Sequence, residues 1–64
     1  MKRNKLLKHL GENACVLNRE GSNHTVFRNV INGKVAMIPR HPDIDEYTAF
    51  GICKQLGIPK PIIN

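Results

Sequence analysis

The stretch Ala14–Arg40, which reads ACVLNREGSNHTVFRNVINGKVAMIPR, decides the fold because it holds three apolar segments separated by two turn signals. Gly21-Ser22-Asn23 is rich in turn residues. Asn32-Gly33 is a strong signal for a tight hairpin, since a type I′ turn needs positive φ at both central positions. The flanking segments carry the valine, isoleucine and phenylalanine content of β-strands. The stretch therefore predicts a three-stranded antiparallel meander with strands at 14–20, 24–30 and 34–40.

A short amphipathic helix is predicted before the meander, over residues 3–11. Lysine and arginine residues surround an apolar face, which consists at helical spacing of Leu6, Leu7 and Leu10. Asn4 is a suitable N-cap residue, and Gly11 is a suitable stop.

A second helix is predicted after the meander, over residues 49–56. Its apolar residues recur at i, i+3, i+4 and i+7 and are Ala49, Ile52, Cys53 and Leu56. Two starts compete, a capping box of Asp43 with Glu46 and a cap at Thr48. Gly57 ends the helix. The predicted fold is α+β, in the order α-β-β-β-α, with both helices on one face of the antiparallel sheet and the other face open.

The two turns also predict which strand positions pair. A three-residue loop at 21–23 and a two-residue loop at 32–33 form an apolar row that faces the helices and consists of Leu17, Phe27 and Ile38. On the open face the same pairing places His24 across from both Glu20 and His41. A bulge would shift this register by one residue and exchange the faces.

Charge and size limit the class of protein. The 64-residue chain carries ten Lys/Arg against five Asp/Glu, a formal net charge of +5. A chain this short forms one small domain without a deep closed cavity, here 1–64 with 58–64 as a short C-terminal tail. A small basic body favours a polyanion or an acidic protein as its partner.

No segment approaches the roughly 20 apolar residues of a membrane span. The basic opening lacks the apolar stretch of a secretion signal, so we expect a cytoplasmic protein. Cys15 and Cys53 lie in apolar surroundings and are expected to be reduced core residues. A zinc site built from these cysteines, His24 and His41 lacks the ligand spacing of structural zinc sites, so no metal is expected.

Three groups of residues resemble the HicA family of toxin mRNA interferases, the small toxins of type II HicA–HicB toxin–antitoxin systems. They are the run Arg19–Phe27, the hairpin end Ile38–His41 and the helix segment Ile52–Ile58. The chain departs from the usual pattern at Asn23, which stands between the Gly-Ser pair and the histidine. The resemblance implies a double-stranded-RNA-binding-domain-like α-β-β-β-α fold, the same order that the turns and helices predict.

The resemblance implies an endoribonuclease that cleaves mRNA, with His24 as the catalytic histidine. It also implies a HicB-type antitoxin that masks the active site. RNA supplies its own nucleophile, the 2′-OH, so such a protein needs proton transfer and phosphate binding but no metal or other cofactor. Histidine suits the proton transfer because its reference pKa is about 6.5.

The phosphate-binding residues follow from the charges near the predicted site. We expect phosphates to be held by Arg28, Lys34 and Arg40, with the backbone N–H groups of Gly21 and Ser22 as further donors. His41 is either a second acid/base or a hydrogen-bonding residue that braces the strand end.

Two alternatives remain at the level of the sequence. The first is a non-catalytic RNA-binding module of the same fold, against which the acidic segment Asp43–Glu46 at the start of the last helix argues, because it would repel phosphates. The second is a basic adaptor whose only ligand is an acidic protein.

Overall fold

The computed structural model describes residues 1–61, and these form two helices and one sheet in the predicted order. The elements are α1 (Arg3–Glu12), β1 (Cys15–Glu20), β2 (His24–Asn29), β3 (Val35–Pro39) and α2 (Glu46–Leu56). The strands are antiparallel in the order β1-β2-β3, so β2 is central. The predicted α-β-β-β-α fold is confirmed. The last three residues of the predicted tail 58–64 lie outside the described part of the chain.

Both helices pack on the same face of the sheet, which we call the inner face. The buried cluster joins α1, α2 and the inner sides of the strands and includes Leu6, Leu10, Cys15, Ala36, Ile38, Ala49, Ile52, Cys53 and Leu56. Burying a leucine or isoleucine side chain stabilises the fold by roughly 1.5–3 kcal/mol, so this cluster is the main source of stability. The opposite, outer face carries no helix, and its Val16, Val35 and Met37 are exposed.

Helix α1 begins one residue before the predicted cap. Lys2 occupies the N-cap position with extended backbone and no side-chain cap bond, so the prediction of Asn4 as the cap is wrong. The reason is a long-range pairing: Lys2 bridges to Asp43, with an ion pair of 3.3 Å, and the N–H of Arg3 donates to the Pro42 carbonyl at 2.9 Å. Gly11 lies inside the helix, which ends at Glu12.

Helix α2 is capped by Asp45, which neither predicted start had named. Its carboxylate accepts the Thr48 N–H at 3.2 Å and the Thr48 hydroxyl at 2.6 Å. Thr48 is therefore the partner of the cap and not the cap, and Asp43 is used in the pairing with Lys2. Gly57 ends the helix in the left-handed conformation, φ 73°, as predicted.

The β2–β3 hairpin differs from the predicted two-residue turn. Asn29 pairs with Lys34 across a four-residue loop, in which only Gly33 has positive φ. The loop is held against α2, because the side-chain amides of Asn29 and Asn32 both donate to the Leu56 carbonyl, at 2.9 and 3.1 Å. The register is therefore shifted by two residues, and Phe27 pairs with Ala36 instead of Ile38. An even shift leaves every side chain on its predicted face.

The β1–β2 hairpin contains a bulge at Asn18. Leu17 pairs with Phe27 as predicted, but beyond the bulge Arg19 pairs with Val26 and Glu20 with Thr25. The predicted pairing of Glu20 with His24 is therefore wrong. The bulge exchanges the faces of the two residues that follow it: Arg19 lies on the outer face and Glu20 on the inner face.

Candidate active site

His24 begins the central strand on the outer face of the sheet. Its neighbour Thr25 is buried on the inner face, which fixes the alternation of side chains along β2. The imidazole of His24 is exposed. The ring is therefore open to solvent at the end of the central strand, where a general acid or base can reach a substrate.

Pro39, and not His41, lies across from His24 on β3. Proline lacks an N–H donor, and it is tolerated here because β3 is an edge strand. The Pro39 carbonyl instead accepts from Nε of Arg3 at 2.8 Å. His41 follows the end of β3 and lines a shallow depression with Asp45 and Thr48 at the start of α2. The predicted pairing of the two histidines is therefore wrong, and His41 is placed by the loop that leads into α2.

A polar network lies on the inner side of the sheet behind His24. The Thr25 hydroxyl donates to Glu20 at 2.6 Å and accepts from Arg3 at 2.9 Å. Arg40 forms an ion pair with the same carboxylate at 3.2 Å. These bonds join α1, β1, β2 and the end of β3, so they hold the strand ends that carry His24.

Arg40 is engaged with the β1–β2 turn. Besides Glu20, its guanidinium donates to the carbonyl oxygens of Gly21 and Ser22. The N–H of Gly21 donates to the His24 carbonyl at 2.8 Å, so this donor is used within the turn. Arg40 therefore fixes the turn that precedes the histidine. The groups of Gly21 and Ser22 that bind it are their carbonyl oxygens, whereas the sequence predicted their N–H groups as phosphate donors.

Glu20 is held in its charged form by this network. Its pKa lies below the ordinary value of 4.5, chiefly because the Thr25 hydroxyl donates to it, and further because Arg40 and Arg3 are close. The carboxylate therefore stays ionised at neutral pH, where it neutralises arginine charge behind the site.

The cations on the outer face are Arg19 and Arg28. Arg28 lies between Val16 and Val35, four residues along β2 from His24, or about 13 Å between Cα atoms. Arg19 lies next to Val26 and is closer to the histidine. Val26 and Met37 form an apolar floor between the charged groups. The outer face is thus a mixed apolar and cationic surface with an imidazole at one end.

Lys34 lies at the other end of the sheet. It pairs with Asn29 at the far end of β2, and its side chain lies beside Gly57. The structure therefore does not bring Lys34 together with His24, whereas it places Arg28 on the same face as the histidine and Arg40 behind it.

The described residues offer no ready metal site. Among residues 1–61 no three His, Cys, Asp or Glu side chains cluster as metal ligands would. Cys15 and Cys53 are buried and free, and burial raises the pKa of both thiols, which disfavours the thiolate that zinc requires. In the same part of the chain, no helix is long and apolar enough to cross a membrane.

Three site residues were missed by sequence reasoning, namely Arg3, Arg19 and Thr25. Arg3 was counted only as part of the basic surface of α1, and its reach to Thr25 and Pro39 depends on the tertiary packing of the helix. Arg19 was missed because the bulge that turns it outward has no clear sequence signal. The alternation His-Thr-Val-Phe in β2 was the one available sign that Thr25 faces inward.

The comparison with protein families finds a match over most of the chain. The family described as "HicA toxin of bacterial toxin-antitoxin" matches residues 3–58. No match is found among the curated proteins or among the solved structures.

Proposed function

The chain belongs to the HicA toxin family of toxin–antitoxin systems, and from this premise we propose that it is an endoribonuclease that cleaves mRNA in the cytoplasm. The observation that carries the proposal is the position of His24: an exposed imidazole at the end of the central strand, on the face that bears Arg19 and Arg28. The family match supports a toxin of this family, and the exposure of His24 beside two arginines is what supports this residue as the acid or base.

The reaction needs two proton transfers around one phosphodiester. The 2′-oxygen of the ribose forms a bond to phosphorus, and the bond from phosphorus to the 5′-oxygen breaks. His24 either takes the proton of the 2′-OH or gives a proton to the leaving 5′-oxygen, and water serves the other transfer. The 2′-OH is part of the substrate, so the proposal assigns no metal or other cofactor to the protein.

Charge at the phosphate is balanced by the outer face. Arg19 is the cation nearest to His24 along the register, and we assign it to the scissile phosphate. Arg28 lies two residues beyond Val26, the partner of Arg19, along β2 and on the same face. It suits a neighbouring phosphate. Arg40 acts through the turn: it holds Gly21 and Ser22, and thereby the start of β2, in place.

Toxins of this kind have an antitoxin partner, and we propose a HicB-type protein that covers the outer face. This surface combines exposed Val16, Val35 and Met37 with two arginines. A partner with apolar side chains flanked by carboxylates would fit it and exclude RNA from His24. Protection of the α2 side in the complex, with the outer face left accessible, would contradict this assignment.

The test is cleavage of a single-stranded RNA by the purified protein in the presence of EDTA. We expect fragments from the wild type and none from His24→Ala, whose exposed side chain can be removed without loss of the fold, as circular dichroism would show. His41→Ala is the matched control and is expected to retain cleavage. Full cleavage by His24→Ala would overturn the mechanism. Intact but retarded RNA with the wild type would instead identify a non-catalytic RNA-binding module.

A further inference from the structure

A groove lies on the outer side of α2, away from the sheet. One wall is a helical stripe formed by Tyr47, Phe50, Gly51 and Lys54 at i, i+3, i+4 and i+7. This stripe is opposite to the buried residues of α2, so the core does not account for it. The other wall is the segment 58–60, and the groove measures about 570 Å³. Such a volume is within the usual range of ligand-binding clefts.

The second wall is fixed in position by contacts with both helices. The N–H of Ile58 donates to the Cys53 carbonyl at 3.0 Å, directly after the left-handed turn at Gly57. The Pro59 carbonyl lies 2.7 Å from Nε2 of His9 on α1. Pro59 also restricts its own backbone. The groove is therefore formed before any ligand arrives, which lowers the entropic cost of binding.

The chemistry of the groove is aromatic and cationic. Tyr47 is 88% exposed, and Phe50 lies in the same wall beside Gly51, where the absence of a side chain leaves the space open. The Nζ of Lys60 lies 5.1 Å from the centroid of the Phe50 ring, and Lys54 lies on the same rim. Among the residues described, none that lines the groove carries a carboxylate. The acidic segment Asp43–Glu46 lies directly before Tyr47, about two helical turns from Lys54, so the end of the groove that suits phosphates is the one at Lys54 and Lys60.

We propose that this groove binds a single-stranded segment of RNA, with a base stacked on Tyr47 and the adjoining phosphates held by Lys54 and Lys60. A flat exposed ring flanked by cations is the general means by which proteins hold unpaired nucleotides without regard to sequence. An acidic peptide would be served by the lysines, but it would leave the ring of Tyr47 without a partner. This inference rests on the proposed function, for which it names a second contact with the substrate, remote from His24.

The experiment measures binding, not cleavage, and uses the His24→Ala protein with a 12-nucleotide single-stranded RNA. Tyr47 is the only tyrosine of the chain, and the chain has no tryptophan, so the intrinsic fluorescence of the protein reports this ring directly. We expect the RNA to quench it. Tyr47→Ala is expected to weaken binding by about five-fold or more, whereas Tyr47→Phe keeps the stacking surface and binds as before.

Charge controls separate the groove from the general basic surface. Lys54→Gln and Lys60→Gln are each expected to reduce the slope of log affinity against log salt by about 0.7, while Lys5→Gln, on the exposed side of α1, is expected to change it less. Unquenched tyrosine, unchanged affinity of Tyr47→Ala, or equal effects of Lys5→Gln and Lys60→Gln would each overturn the inference. The nuclease assignment would stand in all three cases, because it is tested by cleavage at His24.

Discussion

The single extra residue at Asn18 determines which charged groups accompany the histidine. Without the bulge, Glu20 would pair with His24 and place a carboxylate on the outer face, beside the proposed RNA site. With it, Glu20 turns inward to Thr25 and Arg19 turns outward. A cation thus replaces an anion next to the proposed scissile phosphate. Bulges often redirect a side chain beside an active site in this way.

Arg19 and Lys34 provide a matched test of this exchange. Both are exposed cations at the ends of strands, but only Arg19 shares the outer face near His24. We expect Arg19→Gln to lower the rate of RNA cleavage by about ten-fold to a hundred-fold, since a group that stabilises developing charge is lost. Lys34→Gln is expected to reduce the rate by no more than about two-fold, through weaker long-range attraction. Equal losses of cleavage rate for the two variants in a single-turnover assay would show that a position on the outer face near His24 does not matter for cleavage.

At the scale of the elements, the sequence predicted the structure correctly wherever a local signal had no tertiary contact competing with it. Helical spacing of apolar residues predicted the buried sides of α1 and α2, and Gly57 predicted the end of α2. The start of α1 was predicted correctly, but the predicted helix N-caps, the start of α2 and the turn of the second hairpin were wrong, because tertiary contacts compete there with local signals. Asn32-Gly33 is the residue pair typical of a type I′ turn. The side-chain amide of Asn32 instead donates to the Leu56 carbonyl at the end of α2, and the loop takes four residues.

The contact between this loop and α2 leads to a prediction for two glycines. At Gly57, φ is 73° and an added Cβ would lie 2.8 Å from Nδ2 of Asn32, which donates to the Leu56 carbonyl. We expect Gly57→Ala to lower the free energy of unfolding by about 2–3 kcal/mol, from left-handed strain and the displaced hydrogen bond. Gly51→Ala is the control: it lies inside α2 with nothing within 4 Å of the new Cβ. It is expected to raise stability by about 0.5–1 kcal/mol. Urea denaturation of both variants measures the two values.

At the scale of the whole molecule, one sheet separates two surfaces of different kinds. The outer face carries the imidazole, two arginines and exposed aliphatic side chains, and the far side of α2 carries the aromatic groove. The chain measures about 28 × 27 × 16 Å, so an RNA strand that contacts both surfaces must pass around an edge of the sheet. The groove on α2 could not be predicted from the sequence, since the helical spacing of Tyr47 and the residues beside it is the same in a groove and on ordinary exposed surface. The open face could be predicted, because it follows from the order of the helices and strands.

Acid stability is a property of the whole fold, because the network around Glu20 joins α1 to all three strands and Asp45 starts α2. The pKa of Glu20 is lowered from 4.5, chiefly by the Thr25 hydroxyl, and that of Asp45 from 3.8, chiefly by the Thr48 hydroxyl. A lowered pKa means that the folded state binds the proton less well than the unfolded chain. The stabilisation is therefore complete above these ordinary values and is lost as the pH falls from them through the lower pKa values of the folded state.

We accordingly expect the urea midpoint to be constant from about pH 7 to 5 and to fall below the ordinary carboxyl pKa values of about 4. Glu20→Gln retains an acceptor for Thr25 but cannot titrate, so it should start from a lower midpoint at pH 7 and lose less on acidification. Glu12→Gln, in the exposed last turn of α1, is the control and should follow the wild type at every pH. A wild-type midpoint that stays level down to pH 3, or a Glu20→Gln curve parallel to it, would mean that this network does not hold the strand ends behind His24.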